Sequence, residues 1–111
     1  MTQDKIEEEI IRILDEELKP ELRKRIDYMF RDYDENEPGP AYHNLAGVTP
    51  GLKPSPIVFY TAVMKGHIEY SNYDETNARA WIKRVISHEI AHLFSYGENF
   101  ANSKQRNNNF F

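Results

Sequence analysis

The most informative stretch of this 111-residue sequence is Arg84-Val85-Ile86-Ser87-His88-Glu89-Ile90-Ala91-His92-Leu93-Phe94. Apolar residues recur here at the three- and four-residue spacing of an amphipathic helix, in a stripe made by Ile82, Ile86, Ile90 and Leu93. We therefore predict a helix from about Glu75 to Phe94 or Ser95. Gly97 lies just beyond, where a left-handed residue often closes a helix.

Two histidines, His88 and His92, lie four residues apart in this predicted helix and therefore share one face. Both imidazoles can reach one metal ion from there. Glu89 lies on the flank of that face, where its carboxylate can contact a metal-bound water rather than the metal itself. The pattern H-E-x-x-H on a helix is typical of zinc-dependent peptidases. The simpler interpretation is a buried helix with two ordinary histidines and a solvated glutamate.

A third ligand is needed, because a catalytic zinc ion usually binds three protein side chains and keeps one position for water. No histidine follows His92, and Glu98 is the only acidic residue after it. Glu98 stands six residues after His92, which is the offset of the third ligand in the short-spaced pattern H-E-x-x-H-x-x-G-x-x-H or Asp. The upstream alternatives are His67, Glu69 and Asp74. His43 is more simply an exposed loop residue.

Composition limits both the class of protein and the kind of site. The chain carries a net charge of -4, with 40% hydrophobic and 29% charged residues, as an ordinary globular domain does. The acidic balance argues against nucleic acid or an anionic membrane as a partner. No apolar run approaches the ~20 residues of a membrane span. Cysteine is absent, so a metal site must use histidine, carboxylate and water. The first residues lack a secretory signal, and we expect a cytoplasmic location.

The first half of the chain predicts helices followed by a strand. Residues 4 to 18 are predicted to form an amphipathic helix with Thr2 as a candidate cap. Pro20 ends this helix and can begin a short second one through about Arg25. Large apolar or aromatic residues at every second position from Ile26 to Phe30 predict a half-buried strand. A loop follows, and the Pro- and Gly-containing segment 41–56 is predicted to be irregular, with a short strand at about 45–48.

The second half begins with the strongest strand signal, Ile57 to Val63, which is rich in β-branched and aromatic residues. Gly66 is predicted to allow a turn, and residues 67–73 are predicted to form a short strand or an ordered loop. The candidate caps of the motif helix are Asp74, Ser71 and Thr76. Residues 99–111 are predicted to be a short helix or a frayed tail.

The segment Arg84 to Phe94 resembles the motif helix of the small zincin-like metallopeptidases of bacteria, also called minimal metalloprotease-like proteins. In that family an acidic helix, a strand, a glycine-containing loop and a second strand precede a helix with H-E-x-x-H-x-x-G-x-x-D. This chain follows that order, but Leu93 stands where the family often has histidine, Ser95 replaces glycine and Glu98 replaces aspartate. The resemblance implies a compact α+β fold, zinc at His88, His92 and Glu98, and Glu89 as the base.

We therefore predict one α+β domain over residues 1–111, zincin-like, with a small β-sheet packed against an N-terminal helix and the long motif helix. The predicted function is zinc-dependent hydrolysis of a peptide or protein substrate, with Glu89 as catalytic base. An edge strand at Ile57 to Val63 is a candidate for holding extended substrate. The candidate oxyanion stabilisers are His67, Tyr70, Tyr73 and Tyr96. The alternatives are a catalytically inactive binding module and a metal-binding regulator.

Overall fold

Three helices of ten or more residues pack with a small mixed sheet in the computed structural model, which describes residues 1–34, 47–48, 56–93 and 110–111. The predicted α+β class is confirmed at this level. In chain order the elements are α1 (Gln3–Arg12), a π-helical turn (Ile13–Glu17), α2 (Pro20–Arg23), β1 (Tyr28–Arg31), β2 (Gly47–Val48), β3 (Ile57–Tyr60), α3 (Thr61–Tyr70) and α4 (Glu75–Leu93).

The N-terminal helix begins where the sequence predicts. The Thr2 hydroxyl accepts a hydrogen bond from the Lys5 backbone N–H at 3.2 Å, which confirms Thr2 as the cap. The predicted helix changes from α to π geometry at Ile13, and the Leu18 N–H donates to the Ile13 carbonyl at 3.0 Å. Pro20 begins α2, as predicted. The apolar residues that make the predicted helix of residues 4 to 18 amphipathic are all buried, namely Ile6, Ile10, Ile13, Leu14 and Leu18.

The sheet has the strand order β1-β3-β2. β1 runs parallel to β3, with Tyr28 opposite Ile57, and β2 runs antiparallel to β3, with Val48 opposite Val58. β1 is half-buried, as its alternation predicts. β3 lies between two partners, so the prediction that it is an edge strand was wrong. Its residues are all buried, because the helices cover one of its faces and Val58 and Tyr60 cluster with Val63 on the other.

The prediction that the strand extends to Val63 was also wrong. The strand ends at Tyr60, and α3 runs from Thr61 to Tyr70. Gly66 therefore lies inside a helix rather than in a turn, and residues 67–70 are helical rather than strand or loop. Met64 and Ile68 explain the difference, because they are four residues apart and both are buried in the main core. Burial of that face outweighs the local β-propensity of Thr61 and Val63.

The motif helix α4 is capped by Asp74, whose Oδ1 accepts a hydrogen bond from the Asn77 N–H at 2.8 Å. This selects Asp74 from the three candidate caps. The apolar stripe of α4 is buried in the core that it shares with α1, and includes Ala78, Ile82, Ile86 and Ile90. The predicted helix end at Phe94 or Ser95 and the Gly97 cap lie outside the described residues.

The end of the chain is packed rather than frayed at its last two residues. Phe110 is buried, and its carbonyl accepts a hydrogen bond from the Lys19 N–H at 3.1 Å. The Lys83 ammonium lies 4.7 Å from the centre of the Phe111 ring, within cation–π range. Residues 99–109 of the predicted tail lie outside the described part of the chain.

Ion pairs join α1 and the π-helical turn to α4. Glu9 is only 6% exposed, and it pairs with Arg12 on its own helix and with Arg79 of α4 at 3.6 Å. Glu17 pairs with Lys83 at 2.8 Å, and this contact, with help from Arg12, lowers the pKa of the Glu17 carboxyl. Hydrogen bonding to Glu9 raises the pKa of Arg12 above its usual range. Two charged contacts therefore accompany the apolar interface between the helices.

Among the described helices, none is both long enough and apolar enough to cross a bilayer.

Adjacent isoleucines of α1 provide a matched test of this packing. Ile10 is fully buried, whereas Ile11 is 37% exposed. We expect Ile10→Ala to lower the free energy of unfolding by about 2–5 kcal/mol, because it leaves a cavity between the helices. Ile11→Ala should lower it by less than about 1 kcal/mol. Urea denaturation followed by circular dichroism measures both values, and equal losses would contradict the described position of α1.

Candidate metal centre

The two motif histidines are brought together by the continuous helix α4. Both are half-buried, and the His88 Nε2 lies 3.2 Å from the His92 Nε2. Their ring planes are inclined at 72°. Two nitrogens that each bind a tetrahedral zinc ion at about 2.0–2.1 Å are separated by about 3.3 Å. The pair therefore has the separation that chelation of one zinc ion requires.

The glutamate of the motif is buried, with 5% of its surface exposed. Its neighbour Ser87 is fully buried, and both side chains have interaction partners. In the described part of the chain, each buried side-chain nitrogen or oxygen has a hydrogen-bond partner. The simpler interpretation of the motif placed Glu89 in solvent, so the burial of Glu89 counts against that interpretation. A buried carboxylate beside a chelating pair is the kind of environment in which general acid–base groups occur.

The described residues bring together two candidate ligands and not three. They contain no group of three His, Cys, Asp or Glu side chains able to hold a metal ion. The upstream alternatives His67, Glu69 and Asp74 are described, and they do not complete a site with the histidine pair. Glu98 and His43 lie outside the described residues. The assignment of Glu98 as the third ligand therefore stays a prediction.

His67 belongs to an aromatic contact between α3 and α4. Its ring stacks on Trp81 with centroids 4.3 Å apart and planes inclined at 19°, and Tyr73 meets it edge-on at 5.7 Å. The Ser71 hydroxyl lies 3.4 Å from its Nε2. Burial, and secondly the nearby Arg84 cation, lower the pKa of His67. These contacts explain the position of His67 without a metal ion.

The other candidate oxyanion stabilisers differ in their surroundings. Tyr73 is engaged by the His67 ring, whereas Tyr70 is 94% exposed. Tyr96 lies outside the described residues. Prediction from sequence missed one residue beside the pair, Arg84, which is exposed and precedes His88 by one helical turn. The i, i+4 spacing of Arg84 and His88 was the signal that could have revealed it.

Comparisons with protein-family models, with curated proteins and with solved structures found no match in any of the three. The resemblance to small zincin-like metallopeptidases therefore rests on the sequence pattern alone.

Zinc binding is the first property to measure. We expect about one zinc ion per chain, because the paired imidazoles can bind only one ion between them. His88→Ala and His92→Ala should each abolish tight binding, and Glu98→Ala should weaken it if Glu98 is the third ligand. Metal analysis after equilibrium dialysis measures the stoichiometry. His67→Ala is the matched control and should retain zinc. Full occupancy in the His88→Ala/His92→Ala double variant would place the site elsewhere.

The stacked histidine gives a pH-dependent signal, because Trp81 is the only tryptophan in the chain. Protonated imidazole quenches indole fluorescence, so we expect a fall in emission with a midpoint below about 6.5, the ordinary pKa of histidine. As the pH falls, the unfolded chain binds this proton first. The contribution of neutral His67 to stability is therefore present above about pH 6.5 and lost as the pH falls through the folded-state pKa.

The control for this titration is His67→Gln, measured in metal-free protein. The variant should lose the quenching step, since a glutamine cannot be protonated. Persistence of the step would assign it to another group, and a midpoint above about 6.5 would contradict the lowered pKa of His67.

Proposed function

We propose that this protein is a zinc-dependent peptidase of zincin-like fold. The observation that carries the proposal is the 3.2 Å separation of the His88 and His92 Nε2 atoms next to a buried Glu89. Chelating imidazoles and a shielded carboxylate are the two components that metal-assisted hydrolysis needs from one helix. The acidic balance of the chain and its α+β fold agree with this proposal but do not select it.

In this proposal His88 and His92 hold the zinc ion, and Glu98 completes the ligand set. Neutral imidazoles are suitable ligands, and the absence of cysteine leaves a carboxylate as the third one. A bound zinc ion would supply Lewis-acid activation of a water molecule and of the substrate carbonyl. The Glu89 residue is adjacent to the first histidine, so its carboxylate can act on the proton of that water without occupying a ligand position.

Glu89 performs the proton transfers. One carboxylate oxygen accepts a proton from water while the water oxygen forms a bond to the peptide carbonyl carbon. The same carboxyl group then donates the proton to the departing nitrogen as the C–N bond breaks, which gives a carboxylic acid and an amine. Burial suits this role, because electrostatic interactions are stronger where water is excluded.

An extended substrate would pair with β2 rather than with β3. β3 already has partners on both sides, whereas β2 is an outer strand of the described sheet and contacts α4. Main-chain hydrogen bonds to an outer strand hold a peptide without selecting its side chains. The proposal therefore places substrate pairing on the strand that lies beside the motif helix.

The second candidate is a zincin-like binding module without catalytic activity, or a metal-binding regulator. One observation favours it: 3.2 Å is also a hydrogen-bond distance, so one imidazole can donate to the other without any metal ion. In the metal-free protein, a hydrogen bond between the two imidazoles would then hold the histidine side chains in place. Metal binding by itself does not separate this candidate from the peptidase, so the test must address Glu89.

The decisive substitution is Glu89→Gln, which retains the size of the side chain and removes the base. We expect hydrolysis of a mixed peptide library to fall by about 10²–10⁴-fold, the usual effect of losing a general base. Zinc affinity and the free energy of unfolding should stay near the values of the unchanged protein. Cleavage products identified by mass spectrometry provide the measurement.

Glu21→Gln is the matched control, since Glu21 is an exposed residue of α2. It should leave hydrolysis unchanged. If the unchanged protein with bound zinc cleaves no peptide, the binding module replaces the peptidase as the favoured function. Equal cleavage by the Glu89 variant would exclude Glu89 as the base. Loss of zinc from that variant would give Glu89 a structural role.

A further inference from the structure

The basic residues of α4 divide into two groups. Arg79 and Lys83 lie four residues apart and face the carboxylates of α1 and the π-helical turn, pairing with Glu9 at 3.6 Å and Glu17 at 2.8 Å. Arg84 is exposed, and no described residue forms a hydrogen bond or ion pair with its guanidinium. Among the described residues, the positive charge of Arg84 therefore has no counter-charge, whereas the charges of Arg79 and Lys83 are paired within the fold.

The neighbours of Arg84 along the helix explain why it has no carboxylate partner within α4. The positions one turn before and after it are Ala80, Trp81, Ser87 and His88, and none of these is acidic. In a continuous α-helix, Arg84 and His88 share one face with their Cβ atoms about 6 Å apart. Arg84 therefore extends the row formed by His88 and His92 by one turn.

An aromatic surface adjoins this row. Trp81 precedes His88 by seven residues, or two turns, so it lies on the same side of α4. His67 stacks on it, and Arg84 lies close enough to His67 to affect its ionisation. Tyr70, three residues after His67 on α3, is 94% exposed. Tyrosine, tryptophan and arginine together are the residues that dominate binding surfaces.

We propose that Arg84 binds a carboxylate of a peptide ligand, and that the Trp81–His67 pair contacts an apolar or aromatic side chain of the same ligand. A guanidinium can bind a carboxylate through two parallel hydrogen bonds, which favours Arg84 as an anchor. The inference rests on the proposed function only in that the ligand is the candidate substrate. Binding itself requires neither zinc nor hydrolysis.

The spacing along α4 sets the arrangement of the ligand. Trp81 and His88 are separated by about 10 Å along the helix axis. An extended peptide covers that distance in about three residues. In the bound peptide, the carboxylate therefore lies within about two residues of the peptide bond held at the histidine pair. The apolar side chain lies about one residue beyond the carboxylate, on the side away from that bond. A chain with net charge -4 repels anions in general. A preference for ligands that carry a carboxylate over neutral ones must therefore come from a local cation.

The test uses the fluorescence of Trp81 in metal-free protein and three peptide probes. N-acetylphenylalanine carries a free terminal carboxylate. N-acetyl-glutamyl-phenylalanine amide carries a side-chain carboxylate, and N-acetyl-glutaminyl-phenylalanine amide is neutral. We expect at least one of the anionic probes to bind about tenfold more tightly than the neutral one. The probe that does so identifies whether the carboxylate comes from a chain terminus or from an acidic side chain.

Arg84→Gln should reduce the preference for the anionic probe to less than about twofold, and Arg84→Lys should restore part of it. Arg25→Gln, at an exposed arginine in the turn before β1, should retain the full preference. Circular dichroism verifies that each variant is folded. Equal binding of all three probes, or a preference that survives Arg84→Gln, would overturn the inference. If the protein binds the carboxylate probes but cleaves no peptide, the inference about Arg84 stands and the peptidase proposal fails. If it cleaves peptides but shows no preference for a carboxylate, the peptidase proposal stands and the inference about Arg84 fails.

Discussion

The burial of one face of α4 against α1 is the constraint on which the candidate site depends. A helix presents two histidines to a metal ion in a fixed orientation only if its opposite face is held by the core. Ile82, Ile86 and Ile90 provide that contact and are fully buried. The Glu17–Lys83 ion pair lies at the border of the same interface, so it opposes sliding of one helix along the other. The position of the imidazoles is therefore set by apolar residues on the opposite face of α4.

Local signals predicted most of the fold. Thr2 and Asp74 cap helices, and Pro20 begins one. Each role depends on residues no more than three or four positions away, so it follows from the sequence. The segment after Tyr60 was mispredicted because its β-branched residues and Gly66 disguised a buried Met64–Ile68 pair. That pair becomes decisive only when α1 and the sheet are present to cover it. No feature of the sequence predicts the change from α-helical to π-helical geometry at Ile13.

The candidate site also has features that follow from local sequence and features that depend on tertiary contacts. The separation of the histidines is a local property of a helix, and prediction placed them correctly on one face. The burial of Glu89 depends on contacts outside its own helix, because an isolated helix leaves its side chains exposed, so the pattern H-E-x-x-H did not reveal it. The pairing of Arg79 and Lys83 with α1 is equally remote, and it distinguishes them from Arg84. Helical spacing identifies residues that share a face, whereas tertiary contacts determine which of their charges remain available.

The packed end of the chain bears on the order of events in folding. Phe110 is buried in the core that α1 and α4 share, and its carbonyl accepts a hydrogen bond from the Lys19 N–H. The Lys83 ammonium pairs with Glu17 and also lies against the Phe111 ring. A contact between residues this far apart in sequence closes a long loop, and the entropy of loop closure opposes its early formation. We therefore expect the last two residues to dock late in folding, after α1 and α4 have come together.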